Sequence, residues 1–116
     1  MDNEQAQAAL AHEFEAELYE GYRFLARTIN YRAKQFLDMV TVHRGVGAAQ
    51  ILLRGPNASD GFTRLWQERM LAHSLEAVVL KPKYGQLFTA EELLTARYRL
   101  EQHGFDVEDY LSSQTA

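Results

Sequence analysis

Apolar residues recur at intervals of three and four through the first 29 residues, and this spacing constrains the fold more than any other feature of the chain. The series is Ala6, Leu10, Ala11, Phe14, Leu18, Tyr22, Leu25 and Ile29. Side chains three and four positions apart lie on one face of an α-helix. The spacing therefore predicts one long amphipathic helix over residues 1–29. Gly21 has a low helix propensity and predicts a kink or a close helix crossing within it.

The next part of the chain predicts two shorter helices joined by a glycine. Apolar spacing favours helices over about 32–43 and 46–53, with Gly45 as a flexible turn between them. Gly55 and Pro56 should end the second of these helices. A pair of short apolar-faced helices joined in this way is also compatible with a helix-turn-helix, but the second helix offers few polar side chains to read bases.

Capping signals predict the helices of the second half. Ser59 and Ser74 are N-cap residues ahead of apolar segments, and Thr89 with Glu92 forms a capping box ahead of a third. This third helix should stop at Gly104, where glycine takes the left-handed conformation. Residues 106–116 should add one turn before fraying.

Together these signals predict an all-α fold, a compact bundle of five to six helices with a long N-terminal helix. The length of 116 residues favours a single domain over residues 1–116, made of the helix 1–29, a core over 30–105 and a tail over 106–116. The predicted core is Phe14, Leu18, Leu25, Phe36, Met39, Val40, Leu52, Phe62, Leu65, Trp66, Val78, Val79, Leu87, Phe88, Leu93 and Leu100.

Composition excludes several classes of protein. The absence of cysteine excludes disulfide frameworks, thiol nucleophiles and zinc ribbons. No apolar run approaches the roughly 20 residues that span a bilayer, and the first ten residues lack the pattern of a signal peptide. We therefore expect a cytoplasmic protein without a membrane partner.

Charge is distributed unevenly along the chain. Residues 1–22 hold six acidic residues and no Lys or Arg, whereas residues 23–54, the basic segment, hold six basic residues and one acidic residue. Such a segment either binds an anion, such as a nucleic-acid backbone, or pairs with acidic neighbours of its own chain, and the acidic pI favours self-pairing. The predicted anion contacts are Arg27, Arg32, Lys34, Arg44 and Arg54.

The middle and end of the chain resemble a family of small, uncharacterised bacterial all-helical modules. The matching segments are Tyr31, FLDMVTVHRGVGAAQILL (36–53), SDGFTRLW (59–66), SLEAVVL (74–80) and LFTAEELLTARYRLEQHGF (87–105). Some members accompany nuclease-like domains, so the resemblance implies a setting in defence or nucleic-acid processing and no particular activity. The family pattern has Arg and Asp where this chain has Met70 and Ala72, so no role of that pair is carried over.

The sequence shows no grouping of nucleophile, base and orienting residue, so we expect a protein that is not an enzyme and needs no cofactor. His12, His43, His73 and His103 lack metal-ligand spacing, and His43 and His103 are better placed to stabilise helix C-termini. The leading hypothesis is a non-catalytic module that binds a protein partner or itself, through the N-terminal helix or the loops around 55–61 and 81–86. Tyr19, Tyr22 and Tyr84 are candidate partner contacts. The alternative is an accessory nucleic-acid-binding protein that uses the basic segment.

Overall fold

The computed structural model describes residues 3–115, and all regular secondary structure in that range is helical. The α-helices are α1 (Asn3–Ile29), α2 (Lys34–Arg54), α3 (Asp60–Gln67), α4 (Leu75–Val79), α5 (Ala90–Gln102) and α6 (Val107–Thr115), and 3-10 turns lie at Leu71–His73 and Pro82–Leu87. The predicted all-α class with a long N-terminal helix is confirmed. The described residues form two compact units that meet in sequence between Ala49 and Gln50, and the single-domain expectation stays a prediction.

Helix α1 is continuous, as its apolar spacing requires. Phe14, Leu18 and Leu25 are buried along one face. The expected kink or close crossing at Gly21 is wrong, because the helix runs through it and a Cβ atom there would meet nothing within 4 Å. Residues 1 and 2, which belong to the predicted helix, lie outside the described residues. The helix ends where Asn30 takes a positive φ of 54°.

Helix α2 contains the predicted interruption, but one residue earlier and for another reason. Arg44 has φ 65° and ψ 175°, whereas the residues on both sides of it are helical. Gly45 is therefore not the flexible turn that the sequence predicts. Its role is a close approach, because a Cβ atom at Gly45 would lie 2.8 Å from the Cβ and 2.9 Å from the Cα of Glu15 on α1.

Caps fix the helices of the second unit. Ser59 and Ser74 accept hydrogen bonds from the amides of Phe62 and Ala77 at 3.1 Å, and both bonds of the predicted capping box at Thr89 are formed. Helix α5 ends as predicted at Gly104, with φ 77°. The tail differs from the prediction, because Asp106 caps a full helix α6 by accepting from the Asp109 amide.

The core of the second unit corrects two expectations. Trp66 is predicted in the core but is 48% exposed, because the buried face of α3 consists of Phe62 and Leu65. The segment 81–86, predicted as a loop, contains the 3-10 turn Pro82–Leu87, in which Tyr84 is completely buried whereas Pro82, Lys83 and Gln86 are exposed. Four other predicted core residues are only half-buried, Phe36 and Met39 in the first unit and Leu52 and Leu93 in the second.

Within residues 3–115, no helix combines the length and the apolar character that crossing a bilayer requires.

Candidate functional site

The second unit carries an open groove between helix α5 and the segment that follows α2. Its volume is about 920 Å³. One wall is formed by residues 53–58, and the other by the face of α5 that carries Glu91, Leu94, Thr95, Tyr98 and Gln102. These α5 residues follow helical spacing, so one side of the helix faces the groove along its whole length. Grooves of this size accommodate ligands and peptide segments.

A salt bridge fixes the two walls at the N-terminal end of α5. Glu92, whose side chain is 3% exposed, accepts from Arg54 Nε at 2.8 Å and from the Thr89 amide at 2.9 Å. Gln50 is a further donor at 3.4 Å. Burial raises the pKa of Glu92, but hydrogen bonds from Thr89, Gln50 and Arg54 outweigh it, so that the pKa lies below its ordinary value. The carboxylate is therefore held as an anion that ties α2 to α5.

Arg99 joins the walls a second time, in the last turn of α5. Its guanidinium donates to the carbonyl oxygens of Leu52 at 3.0 Å and Gly55 at 2.7 Å. These carbonyls lie at the end of α2, where no further helical turn supplies donors for them. Glu76 of α4 lies 3.6 Å from the same guanidinium, and its burial raises the pKa of that carboxyl. The segment at Gly55 is thus anchored to α5 by a buried arginine.

Two large apolar side chains on α5 face the groove without being covered. Leu94 is 67% and Tyr98 64% exposed, and they lie one helical turn apart. At the end of α5, the His103 ring is hydrogen-bonded to the Arg99 carbonyl at 2.7 Å, which confirms its predicted place at a helix C-terminus. The His103 ring also meets Phe62 and Trp66 edge to face, with centroid distances of 4.8 and 5.1 Å. His103 therefore lies between the groove, which it lines, and Trp66, which is 48% exposed.

The basic residues predicted to bind an anion are mostly engaged by carboxylates. Lys34 pairs with Asp38 at 3.0 Å, Arg44 with Glu15 at 3.0 Å, and Arg54 with Glu92 at 2.8 Å. Arg54 belongs to the second unit, whereas the other four predicted anion contacts belong to the first. The expected self-pairing is present at three of the five positions.

Of the five predicted anion contacts, Arg27 and Arg32 have no carboxylate contact among residues 3–115. Arg27 is exposed near the end of α1, and Arg32 is exposed and donates to the Asn30 side chain in the connection to α2. Two cations supply far fewer phosphate contacts than the roughly 6–10 that give strong, salt-dependent binding to nucleic acid. The geometry of the basic segment thus gives limited support to binding through the phosphate backbone.

Tyr84 is wrong as a partner contact, because its side chain is completely buried. Tyr19 and Tyr22 are half-buried on α1, and their predicted role as partner contacts stays a prediction.

In the described range 3–115, no group of three or more His, Cys, Asp or Glu side chains is arranged to hold a metal ion. Among the titratable side chains that line the groove, Arg54, Glu92 and Arg99 are committed to internal hydrogen bonds. The groove offers apolar contact at Leu94 and Tyr98 and a polar rim.

Leu94 and Tyr98 are the site residues that the sequence reasoning missed. A helical projection of α5 identifies both residues. The capping box fixes the start of the helix, and the buried positions Glu92, Ala96, Arg99 and Leu100 then define its inner face. Leu94 and Tyr98 fall outside that face, and two large apolar residues together on an outer face indicate a contact surface.

Comparison with protein-family models, with curated proteins and with solved structures found no match.

Proposed function

We propose that the protein is a non-catalytic interaction module whose groove on the second unit binds an amphipathic helix of a partner protein. The observation that carries this proposal is the exposure of Leu94 and Tyr98 on one face of α5, directly beside a second wall. Monomeric proteins rarely leave adjacent large apolar side chains uncovered in a groove without a binding role.

The spacing of the two anchors favours a helical occupant. Leu94 and Tyr98 form an i, i+4 ridge along α5, and ridges of this kind pack into the grooves of another helix. A partner helix with apolar residues at i, i+3 or i+4, and i+7 matches that ridge. The exposed polar residues Glu91 and Gln102 at the two ends of the α5 face supply the polar rim that interfaces usually have.

The two ties between the walls support a binding role because they hold the groove in shape before a partner arrives. Arg54 and Glu92 connect the walls at the start of α5, and Arg99 with the carbonyls of Leu52 and Gly55 connects them in its last turn. A pre-formed site loses less conformational freedom on binding than a mobile one. The resemblance to bacterial modules that accompany nuclease-like domains supports a partner in nucleic-acid processing or defence.

Selection of peptides tests the proposal and shows which sequence pattern the groove prefers. A phage-displayed library of random helical peptides is panned on the full chain, and enriched sequences should carry apolar residues at intervals of three and four. Leu94→Glu should weaken binding of the enriched peptides about 30-fold, as expected for an interface hot spot. Val42→Glu is the matched control, since Val42 is 72% exposed on the first unit and its change should leave binding intact.

Three results would contradict the proposal. The first is a selection that enriches no sequence, and the second is peptide binding that is insensitive to Leu94→Glu. The third is a dimer in light scattering that Leu94→Glu dissociates, because a second copy of the chain would then be the occupant.

The competing function, nucleic-acid binding through the basic segment, makes a different prediction. A mobility shift with double-stranded DNA should be lost on charge reversal of Arg27 and Arg32 and should fall steeply with added salt. Leu94→Glu should leave such a shift unchanged.

A further inference from the structure

Helix α2 is interrupted at one residue whose backbone is in a region that glycine normally occupies. Arg44 combines φ 65° with ψ 175°, a combination that is strained for any residue with a Cβ atom. The segments before and after it are helical. Strain of this kind persists only where surrounding contacts hold it in place.

A single carboxylate supplies those contacts. Glu15 on α1 accepts from Arg44 Nε and from an Arg44 terminal nitrogen, both at 3.0 Å, which is a bidentate arrangement. The same carboxylate accepts from the Gly45 amide at 2.8 Å. Glu15 therefore holds both the strained side chain and the first amide after the interruption.

The Gly45 amide has an alternative acceptor within its own helix. In an uninterrupted α-helix, this amide donates to the carbonyl oxygen of Thr41, four residues earlier. Arg44 is the residue inside α2 with non-helical φ and ψ, so these are the torsions that have to change for that bond to form. Arginine has a high helix propensity, and extending an existing helix through one residue avoids the cost of nucleation.

We infer that α2 has two backbone states, one interrupted at residue 44 and one continuous, and that the contacts of Glu15 hold it in the interrupted state. While Glu15 binds Arg44 and Gly45, the helix is interrupted at residue 44. When the Glu15 contact is lost, Arg44 enters the helical region and the Gly45 amide transfers to Thr41. The change redirects residues 34–43 relative to residues 45–49 within the first unit. The Arg44 side chain is 63% exposed and the Glu15 side chain 15%, so Arg44 is the partner that solvent reaches when the ion pair breaks.

Backbone chemical shifts test this inference directly. The ¹³Cα and ¹³C′ shifts of residues 43–46 report whether Arg44 is helical, and hydrogen exchange of the Gly45 amide reports whether that amide keeps an acceptor. In the wild-type chain, the Arg44 shifts should lie outside the helical range. In Glu15→Ala, the Arg44 shifts should move into the helical range that residues 43, 45 and 46 already occupy, while the Gly45 amide stays protected, because alanine preserves α1 and removes only the Glu15 contacts.

Glu20→Ala is the matched control, since Glu20 is on the same helix and pairs with Arg23 instead. It should leave the shifts of residues 43–46 unchanged. Glu15→Gln covers the case in which Glu15→Ala does not fold, and its shifts should move in the helical direction by a smaller amount. The inference is overturned if Arg44 stays non-helical in the folded Glu15 variants. It is equally overturned if the Gly45 amide exchanges about tenfold faster or more, because the interruption then opens without a second helical state.

Discussion

Two arginines of α2 are held by carboxylates in nearly the same way, one in each unit. Glu92 accepts from Arg54 at 2.8 Å and from the Thr89 amide at 2.9 Å. Glu15 accepts from Arg44 at 3.0 Å and from the Gly45 amide at 2.8 Å. In each case one carboxylate satisfies an amide at the start of a helical segment and fixes an arginine.

The two carboxylates differ in how far along the chain they reach. Glu92 lies three residues from the amide that it caps, whereas Glu15 lies 30 residues from Gly45. The first arrangement is a capping box and has a sequence signature, while the second exists only after α1 and α2 meet. The comparison shows that the same chemistry is visible in the sequence when it is local and hidden when it is tertiary.

Both pairs bear on what the basic segment does. An arginine held by a carboxylate and positioned beside a backbone amide has a structural role whether or not a partner binds. Arg44 and Arg54 therefore support self-pairing of the basic segment, and the uncovered surface at Leu94 and Tyr98 is the better candidate for binding. Both carboxylates, in turn, are held as anions, Glu15 chiefly by Arg44 and Glu92 by its hydrogen bonds from Thr89, Gln50 and Arg54.

The largest expected effect comes from removing the local carboxylate. Glu92→Ala leaves the Thr89 amide and Arg54 without their acceptor, so the free energy of unfolding should fall by about 2–3 kcal/mol. Urea denaturation measures this change. Glu91→Ala is the neighbouring control at an exposed position and should cost less than about 1 kcal/mol. Equal losses in the two variants would mean that the Glu92 contacts stabilise nothing.

Glycine substitutions sharpen the comparison at the tertiary carboxylate. Gly45→Ala places a Cβ atom 2.8–2.9 Å from Glu15, so the free energy of unfolding should fall by about 1–2 kcal/mol. Gly21→Ala on α1 meets nothing within 4 Å and should raise it by about 1 kcal/mol, because alanine favours the helix. The opposite signs are the diagnostic result in thermal or urea unfolding. A gain in stability at Gly45 would show that α1 and α2 do not approach closely there.

The smallest expected effect distinguishes Arg69 from Arg44, the two arginines with a positive φ. Arg69 has φ 59° after α3, where the amides of Arg69 and Met70 donate to the carbonyls of Trp66 and Leu65 in the pattern of a Schellman motif. Arg69→Gly should raise the free energy of unfolding by somewhat less than about 1 kcal/mol, because glycine accepts this backbone without strain. Arg44→Gly should show no such gain, since it also removes the bonds to Glu15. Parallel urea titrations of both variants compare them, and an equal gain at both positions would contradict a role for the Arg44 side chain.

Most of the fold is predictable because its determinants are local. Ser59, Ser74, Thr89 and Gly104 each act within a few residues, and the structure confirms all four. The full length of α6 escapes the prediction, although Asp106 with Asp109 carries a cap signal of the same kind. Trp66 is misplaced because size and apolar character favour burial in general, whereas the orientation of α3 decides it in this chain.

The candidate site is less predictable because its determinants are tertiary. The groove depends on Arg99 reaching the carbonyl of Leu52 across 47 residues, and no local spacing encodes that contact. Tyr84 illustrates the opposite error, since a tyrosine in a segment with Pro and Gly suggests an exposed loop, yet the 3-10 turn buries it. Capping signals thus locate helices, and they leave open which faces remain uncovered.

The carboxylates also determine how stability should depend on pH. The bonds from Arg44 lower the pKa of Glu15, and the pKa of Glu92 is lowered overall despite its burial. A lowered pKa in the folded state gives stability that is present above the ordinary value of 4.5 and is lost as the pH falls below it. Burial raises the pKa of Glu76, so its contribution has the opposite sign, being complete below 4.5 and lost as the pH rises through the raised pKa.

The most direct measurement is a titration of the side-chain carboxyl carbons by ¹³C NMR on the uniformly labelled chain. Glu15 and Glu92 should titrate below 4.5 and Glu76 above it, and Arg44→Gly should return Glu15 toward its ordinary pKa without moving Glu92. A Glu15 or Glu92 carboxyl that titrates at or above 4.5 in the wild-type chain would contradict the account, because its hydrogen bonds would then not hold it as an anion.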